Sequence, residues 1–255
     1  MVYIYFAAVR YFLDISYKGT DFHGWQRQDN ANSVQEELEN ALSRLMPAST
    51  PVVGSGRTDT GVHAIQQIAH FDAGEIDPDR ISYKLNAMLP PGIAINNCYA
   101  VSDEAHARFD ADRRTYHYFI HHHKDPFLTG LSYYFRPKLN LDDIRKAIGI
   151  LCEWKDFESF SKVHTDVNTF FCEIYGARWD ETEKGYQFTI SANRFLRGMV
   201  RAIVGTLIDV GLGKLSIEEF ALLEEQQDRS AAGRSVPPQG LYLVEVHYPP
   251  IVDKI

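Results

Sequence analysis

The sequence predicts an α+β fold built on largely antiparallel sheets. Two kinds of apolar periodicity, period two and period 3.6, are mixed along the chain without the regular strand–helix–strand alternation of parallel sheets. Two capping boxes, Ser33-Val34-Gln35-Glu36 and Ser216-Ile217-Glu218-Glu219, mark helix starts. The two halves have similar element content with no detectable sequence repeat. With 255 residues, 45% of them hydrophobic, the chain is long enough for two modest domains with a real core. The boundary is expected between Val101 and Arg108, giving subdomains 1–104 and 105–255.

The elements follow in order. Met1–Val9 reads as an N-terminal strand, and Tyr11–Tyr17 as a strand turning near Lys18-Gly19. A helix opens at Ser33 and carries Val34, Leu38, Leu42 and Leu45 to a stop at Pro47. Val62–Phe71 is a strand. Asp77-Pro78 opens a second helix, proline at its favoured first position, which ends before Pro90-Pro91-Gly92. Ile93–Val101 returns as a strand. In the second half Thr115–His121 alternates as a strand, and Asn140–Cys152 is a helix. Phe171–Trp179 and Tyr186–Ile190 form a hairpin around Glu183-Lys184-Gly185. Phe195–Val210 is a helix closed by Gly211, Ser216 opens another reaching Gln227, and Leu241–His247 is a closing strand.

Composition removes several function classes. The apolar start is interrupted by Arg10 and is too short to span a bilayer; with no basic segment before it, it does not resemble a signal peptide. Cys98, Cys152 and Cys172 are widely spaced and odd in number, which supports neither a disulfide framework nor a zinc site and fits a reducing cytoplasm. The net charge of −8 argues mildly against nucleic acid, but its distribution matters more. Glutamates gather on two predicted helices, whereas arginines gather at Arg57, Arg108, Arg113, Arg114, Arg194, Arg197 and Arg201.

The run Gly54-Ser55-Gly56-Arg57-Thr58-Asp59-Thr60-Gly61-Val62-His63-Ala64 concentrates the chemistry. Its glycines permit sharp turns and close approach by another molecule. It is no phosphate loop, because no Gly-Lys-Ser/Thr follows and a dinucleotide pattern needs glycine where Asp59 stands. Two readings of Arg57 and Asp59 stay open: a solvent ion pair on a tight turn, or a carboxylate serving as nucleophile, general base or metal ligand. His63 lacks partners at metal-ligand spacing, and in His121-His122-His123 strand neighbours face opposite ways, so no metal site is expected.

The predicted Phe195–Val210 helix is apolar around most of its circumference and should be buried. Arg194, Arg197 and Arg201 fall on one stripe of it, with Arg201 well inside. A buried guanidinium needs an anion, either a structural carboxylate or a functional partner such as Asp59 or a substrate phosphate; beside Asp59 it would keep that carboxylate ionised. Tyr116 and Tyr118 share a strand face just after Arg113-Arg114. They are either core tyrosines or, with the arginines, a surface for unstacked bases.

Phe22-His23-Gly24-Trp25-Gln26-Arg27-Gln28, the Arg57-Thr58-Asp59-Thr60-Gly61-Val62-His63 segment, Ala107-Arg108-Phe109, Arg114-Thr115-Tyr116-His117-Tyr118, Asp156-Phe157-Glu158-Ser159-Phe160, Phe195-Leu196-Arg197-Gly198-Met199-Val200-Arg201 and Gly240-Leu241-Tyr242-Leu243 together resemble the tRNA pseudouridine synthase A family. The motifs stand in family order across roughly residues 11 to 248. The resemblance implies that Asp59 is the catalytic aspartate, that Arg57 helps extrude the target base, and that Tyr116 stacks on the uracil. It makes Arg201 the basic partner of the aspartate, with Arg114 and Arg197 as substrate contacts. It further implies a cofactor-free, metal-free cytoplasmic homodimer of two α+β subdomains flanking a basic cleft, acting on the anticodon arm of tRNA at uridines 38, 39 and 40. Ser55, Thr60 and Gly198 depart from the family pattern, and Arg194 adds a charge. Two competitors differ in class: a non-catalytic tRNA-binding protein of the same fold, which would tolerate loss of Asp59, and a hydrolase, which would need a second carboxylate for water.

Overall fold

The computed structural model describes residues 9–47, 49–162 and 168–250. The expected strand over Met1–Val9 lies outside the described residues except for its last position. The chain divides into two compact units, crossing at Asp112/Arg113 and again at Tyr242/Leu243. Residues 243–250 therefore belong with the first unit.

The first unit holds β1 (Val9–Tyr17), α1 (Val34–Ser43), β2 (Val53–Gly54), β3 (His63–Ala73), α2 (Pro78–Met88) and β4 (Ile93–Val101). β1 lies between β4 and β3, antiparallel to both, and β2 pairs antiparallel with β3. The core is apolar and dense: Phe12, Leu13, Ile15, Leu38, Leu42, Phe71 and Leu85 are buried. Ser33 caps α1 by accepting from the Glu36 N–H, and Asp77 caps α2 by accepting from the Arg80 N–H, with proline at the start of the helix. α1 stops at Ser43, short of the expected Pro47. The Leu45 and Met46 amides both turn back to the Leu42 carbonyl, so the last residues form a turn.

The second unit holds β5 (Arg113–His121), β6 (Tyr133–Tyr134), α3 (Leu141–Glu153), β7 (Ile174–Thr182), β8 (Gly185–Ala192), α4 (Met199–Gly211), α5 (Ile217–Ala221) and α6 (Leu223–Gln226). β9 (Leu241–His247) begins there and ends in the first unit. β8 lies between β5 and β7, antiparallel to both, while the short β6 runs parallel to β5. α3 packs on β7 and on α4 and α5. Trp154, Phe157, Phe160 and Phe220 form an aromatic knot beneath them, the Trp154 and Phe220 rings stacked at 4.9 Å. The Asp156–Phe160 motif thus builds core, and the Ser159 hydroxyl donates to the Leu223 carbonyl at 2.6 Å.

The α+β class with antiparallel pairing holds in both units. Two further helices need correction. The expected Phe195–Val210 helix starts at Met199, because Gly198 takes the left-handed conformation at φ +75° and breaks helical continuity ahead of it. Arg194 and Arg197 therefore precede the helix, and Arg201 lies in its first turn, not deep inside; the three do not form one helical stripe. The helix expected from Ser216 to Gln227 is two short segments joined at Leu222. There the Leu222 amide bonds three residues back to Glu219, and Gln227 ends the second segment at φ +48°. The full capping box at Ser216 and Glu219 is present.

Candidate active site

Arg57 and Asp59 stand on the turn between β2 and β3, and the Phe22–Trp25 segment holds that turn from beneath. The Trp25 amide donates to the Thr58 carbonyl at 3.2 Å, and the Gly61 amide to the Phe22 carbonyl at 3.4 Å. Gly24 sits at φ +91°, and a Cβ there would lie 2.4 Å from the Thr58 oxygen and 3.2 Å from the Asp59 carbonyl carbon. Only glycine allows the two backbones to meet at this distance. Gly54 does the same for Trp25, whose indole would collide with a Cβ at 2.5 Å.

Polar contacts finish the clamp. The buried Tyr17 and Thr58 hydroxyls are 2.8 Å apart. Ser55 donates to Gln67 at 2.8 Å, and Gln67 donates onward to the Gly56 carbonyl at 2.8 Å. Ser55, a departure from the family pattern, is thus absorbed as a buried partner of Gln67. His63 is buried, and its Nδ1 accepts from the Gly19 amide at 3.1 Å. That backbone contact gives His63 a structural part in holding the turn.

The side chains of this turn meet a different environment. Asp59 is half-buried, and its carbonyl accepts from the Val62 amide at 3.1 Å. Arg57 is exposed, and among the described residues it makes no ion pair with Asp59. The solvent ion-pair reading of this turn is therefore not what the structure contains.

The other candidates gather in the second unit. Arg114 and Tyr116 lie on β5, opposite Ala192 and Ile190 of β8. Arg114 donates to the Asn193 carbonyl at 2.8 Å, which ties β5 to the segment leading into α4. Phe195 on that segment meets Tyr116 edge-to-face, with ring centroids 5.1 Å apart. Tyr116 remains half-exposed, whereas Tyr118 on the same strand face is fully buried and donates to the Pro237 carbonyl at 2.8 Å. Burial pushes the Tyr118 hydroxyl well above the usual tyrosine range, so it stays neutral. One tyrosine of the pair is core and the other half-exposed.

Arg201 is half-buried and fixed by a two-way contact: its Nε donates to the Val236 carbonyl at 2.8 Å, and the Val236 amide donates to the Arg201 carbonyl at 3.1 Å. Val236 and Pro237 thus join Arg201 of α4 to Tyr118 of β5. Arg197 is exposed, with its carbonyl accepting from the Lys162 amide at 3.0 Å. The candidates fall into two sets, Arg57 with Asp59 in one unit and Arg114, Tyr116, Arg197 and Arg201 in the other. Sequence reasoning missed Phe195 as the partner of Tyr116 and Val236 as the partner of Arg201. Phe195 was masked by its apolar periodicity, and a backbone acceptor leaves no side-chain signature at all.

No cluster of three or more histidine, cysteine or acidic side chains suited to a metal occurs among the described residues. No described helix is long and apolar enough to cross a membrane.

Comparison with known proteins places this geometry in a family. The family described as tRNA pseudouridine synthase matches residues 15–110 and 154–249 of the chain. The tRNA pseudouridine synthase A of Bacteroides fragilis is 49% identical over 243 residues, covering 94% of this chain and 96% of the relative. That of Bacillus subtilis is 44% identical over 239 residues, covering 92% and 97%. That of Acetivibrio thermocellus is 38% identical over 239 residues, covering 92% and 98%. The matched stretches carry the Arg57–Asp59 turn in one unit and the segment running into α4 in the other, and the chain belongs to the tRNA pseudouridine synthase family, isomerases that act on uridine in tRNA.

Proposed function

We propose that this enzyme converts uridine to pseudouridine in the anticodon arm of tRNA, at positions 38, 39 and 40, with Asp59 as the catalytic nucleophile or base. The observation that carries the reading is the Asp59 turn: its backbone is clamped by glycine contacts and buried hydrogen bonds, while Arg57 beside it is exposed and makes no ion pair among the described residues. A rigid carboxylate with a disengaged neighbouring guanidinium suits a reaction that must first draw a base out of its stack.

The isomerisation breaks the N1–C1′ bond, turns the uracil, and joins C5 to C1′ while the C5 proton moves to N1. One carboxylate serves each route to that outcome: addition to C1′, addition to C6, or removal of the 2′ proton. Extruding the base costs a few kcal/mol, which stacking and arginine insertion offset. In this reading Arg57 takes the place of the extruded base, and Tyr116 stacks on the uracil, its ring braced by Phe195. Arg201 supplies positive charge for the carboxylate, and Arg114 and Arg197 contact the RNA. The enzyme works in the cytoplasm as a homodimer, without metal or cofactor.

Replacing Asp59 by alanine tests the assignment. Pseudouridine maps of tRNA incubated with wild-type and Asp59→Ala enzyme are expected to differ by complete loss of the modification, with tRNA binding and the thermal midpoint retained. Maps that carry the modification equally with both proteins would remove Asp59 from the chemistry, and maps that lack it with both would favour the non-catalytic RNA-binding alternative.

A further inference from the structure

The Ala107-Arg108-Phe109 motif has no part in the reaction described above, yet its geometry is unusually well defined. Phe109 is 73% exposed. The turn that carries it is nonetheless held at nearly every position. The His106 amide donates to the Asp110 carboxylate at 2.7 Å, and the Asp110 amide donates to the His106 carbonyl at 3.1 Å. His106 Nδ1 accepts from the amides of Arg108 at 3.1 Å and Phe109 at 3.3 Å.

Below the turn, the His106 ring packs edge-on against His70 of β3, centroids 4.8 Å apart. His70 Nδ1 accepts from the Ala107 amide at 3.1 Å, and Tyr248 donates to the Ala107 carbonyl at 2.5 Å. Burial first, then the Arg10 and His106 charges, bring the His70 imidazole down to about 4 against the pull of Asp72 and Asp110, so it stays a neutral acceptor. A loop anchored through its backbone and through His106 therefore holds out a phenyl ring that buries little of itself.

The surroundings of the ring indicate what it takes. The His106 ring lies 4.3 Å from the Phe109 ring at 36°, and the Arg108 guanidinium lies over the Phe109 ring, 5.6 Å from its centroid. A largely exposed ring, with an imidazole tilted against it and a guanidinium over it, offers an unstacked nucleobase a π surface and its phosphate a cation. An apolar protein partner would make no use of the guanidinium. A rigid turn also spares the entropy of ordering the ring on binding.

We infer that Phe109, backed by His106 and flanked by Arg108, is a stacking subsite for an unpaired nucleotide of the RNA substrate other than the uridine being isomerised. The inference rests on the reading of this chain as an enzyme of tRNA, and it adds a second aromatic contact that grips the strand outside the reacting base. Phe109 acts here as a positioning residue.

Gel-shift titrations with a transcribed tRNA that carries an anticodon arm, using the full chain, test it. Phe109→Ala is expected to weaken binding about five- to a hundredfold, the range produced by losing one base–aromatic stack. The same variant should raise KM with little change in single-turnover rate at saturation, and its thermal midpoint should match wild type because the ring is exposed. Phe109→Trp should bind as tightly as wild type or tighter, whereas Phe109→Leu, which keeps apolar bulk without a π face, should behave like alanine. Wild-type affinity for Phe109→Ala, or leucine performing as well as tryptophan, overturns the inference. So does a change of sedimentation mass with affinity intact, which would assign the ring to contact with a second copy. Binding is read independently of product, so a wild type that formed no pseudouridine would refute the parent reading without deciding this one.

Discussion

Gly24 and Asp59 are 35 positions apart in the chain, and the first decides where the second can stand. At φ +91° and with the Thr58 oxygen 2.4 Å from any added Cβ, Gly24 meets both a conformational and a steric bar to substitution. Gly24→Ala is expected to cost about 2–3 kcal/mol, combining left-handed strain with displacement of the Thr58–Asp59 backbone. Urea unfolding measures the stability loss. Activity should fall further than the unfolded fraction explains, because the carboxylate is moved.

His70 makes the second prediction at this scale. Burial lowers its folded pKa to about 4 from an ordinary value near 6.5. Above about 6.5 the imidazole is neutral folded or unfolded, and its contribution is fully present. Between about 6.5 and 4 the unfolded chain takes up a proton that the folded chain refuses, so stability falls as pH falls through that window. His70→Asn keeps an acceptor for the Ala107 amide without a titrating group, and its stability profile over pH 4–6.5 should be flatter than wild type.

Among the elements, α4 shows how one residue sets a boundary. The apolar run from Phe195 satisfies helical periodicity, yet the helix starts at Met199 because Gly198 is left-handed at φ +75°. The shift turns Arg197 out of the helix and places Arg201 in the first turn, where Val236 fixes it. A Cβ at Gly198 would meet nothing within 4 Å, so substitution costs backbone strain alone. Gly198→Ala is expected to destabilise by about 1–2 kcal/mol, lowering the thermal midpoint by roughly 2–8 °C. Gly198→Asn should recover part of that loss, because asparagine tolerates the left-handed region best among side-chain-bearing residues. Equal melting of the alanine variant and wild type would refute strain at this position.

Over the whole molecule, acidic residues outnumber basic ones by 34 to 26, which alone would repel RNA. Exposed or half-exposed arginines stand in each unit, Arg57 in one and Arg114, Arg197 and Arg201 in the other, and the proposed function has them meet RNA phosphates. Counterion release then governs affinity: with about four phosphates neutralised, tRNA binding should weaken on the order of 10²-fold between 50 and 200 mM monovalent salt. A filter-binding titration across that range checks it, and a flat response would remove the arginines as phosphate contacts.

Much of this protein was legible in its sequence. Strands at Ile93–Val101 and Leu241–His247, caps at Ser33, Asp77 and Ser216, and the α+β class follow from periodicity and capping chemistry, which act between residues close in the chain. The motif around Asp59 marked the candidate carboxylate for the same reason: glycines and charges in one short run need no distant partner to be noticed. The tertiary structure alone decided three other matters. It resolved Arg57 and Asp59 against a simple ion pair, separated a buried Tyr118 from a half-exposed Tyr116, and set Arg201 against a backbone carbonyl. Each depends on contacts between segments far apart in the chain, such as Gly24 with Thr58 and Tyr118 with Pro237. Excluded volume and the need to satisfy buried polar groups act there without leaving a local pattern.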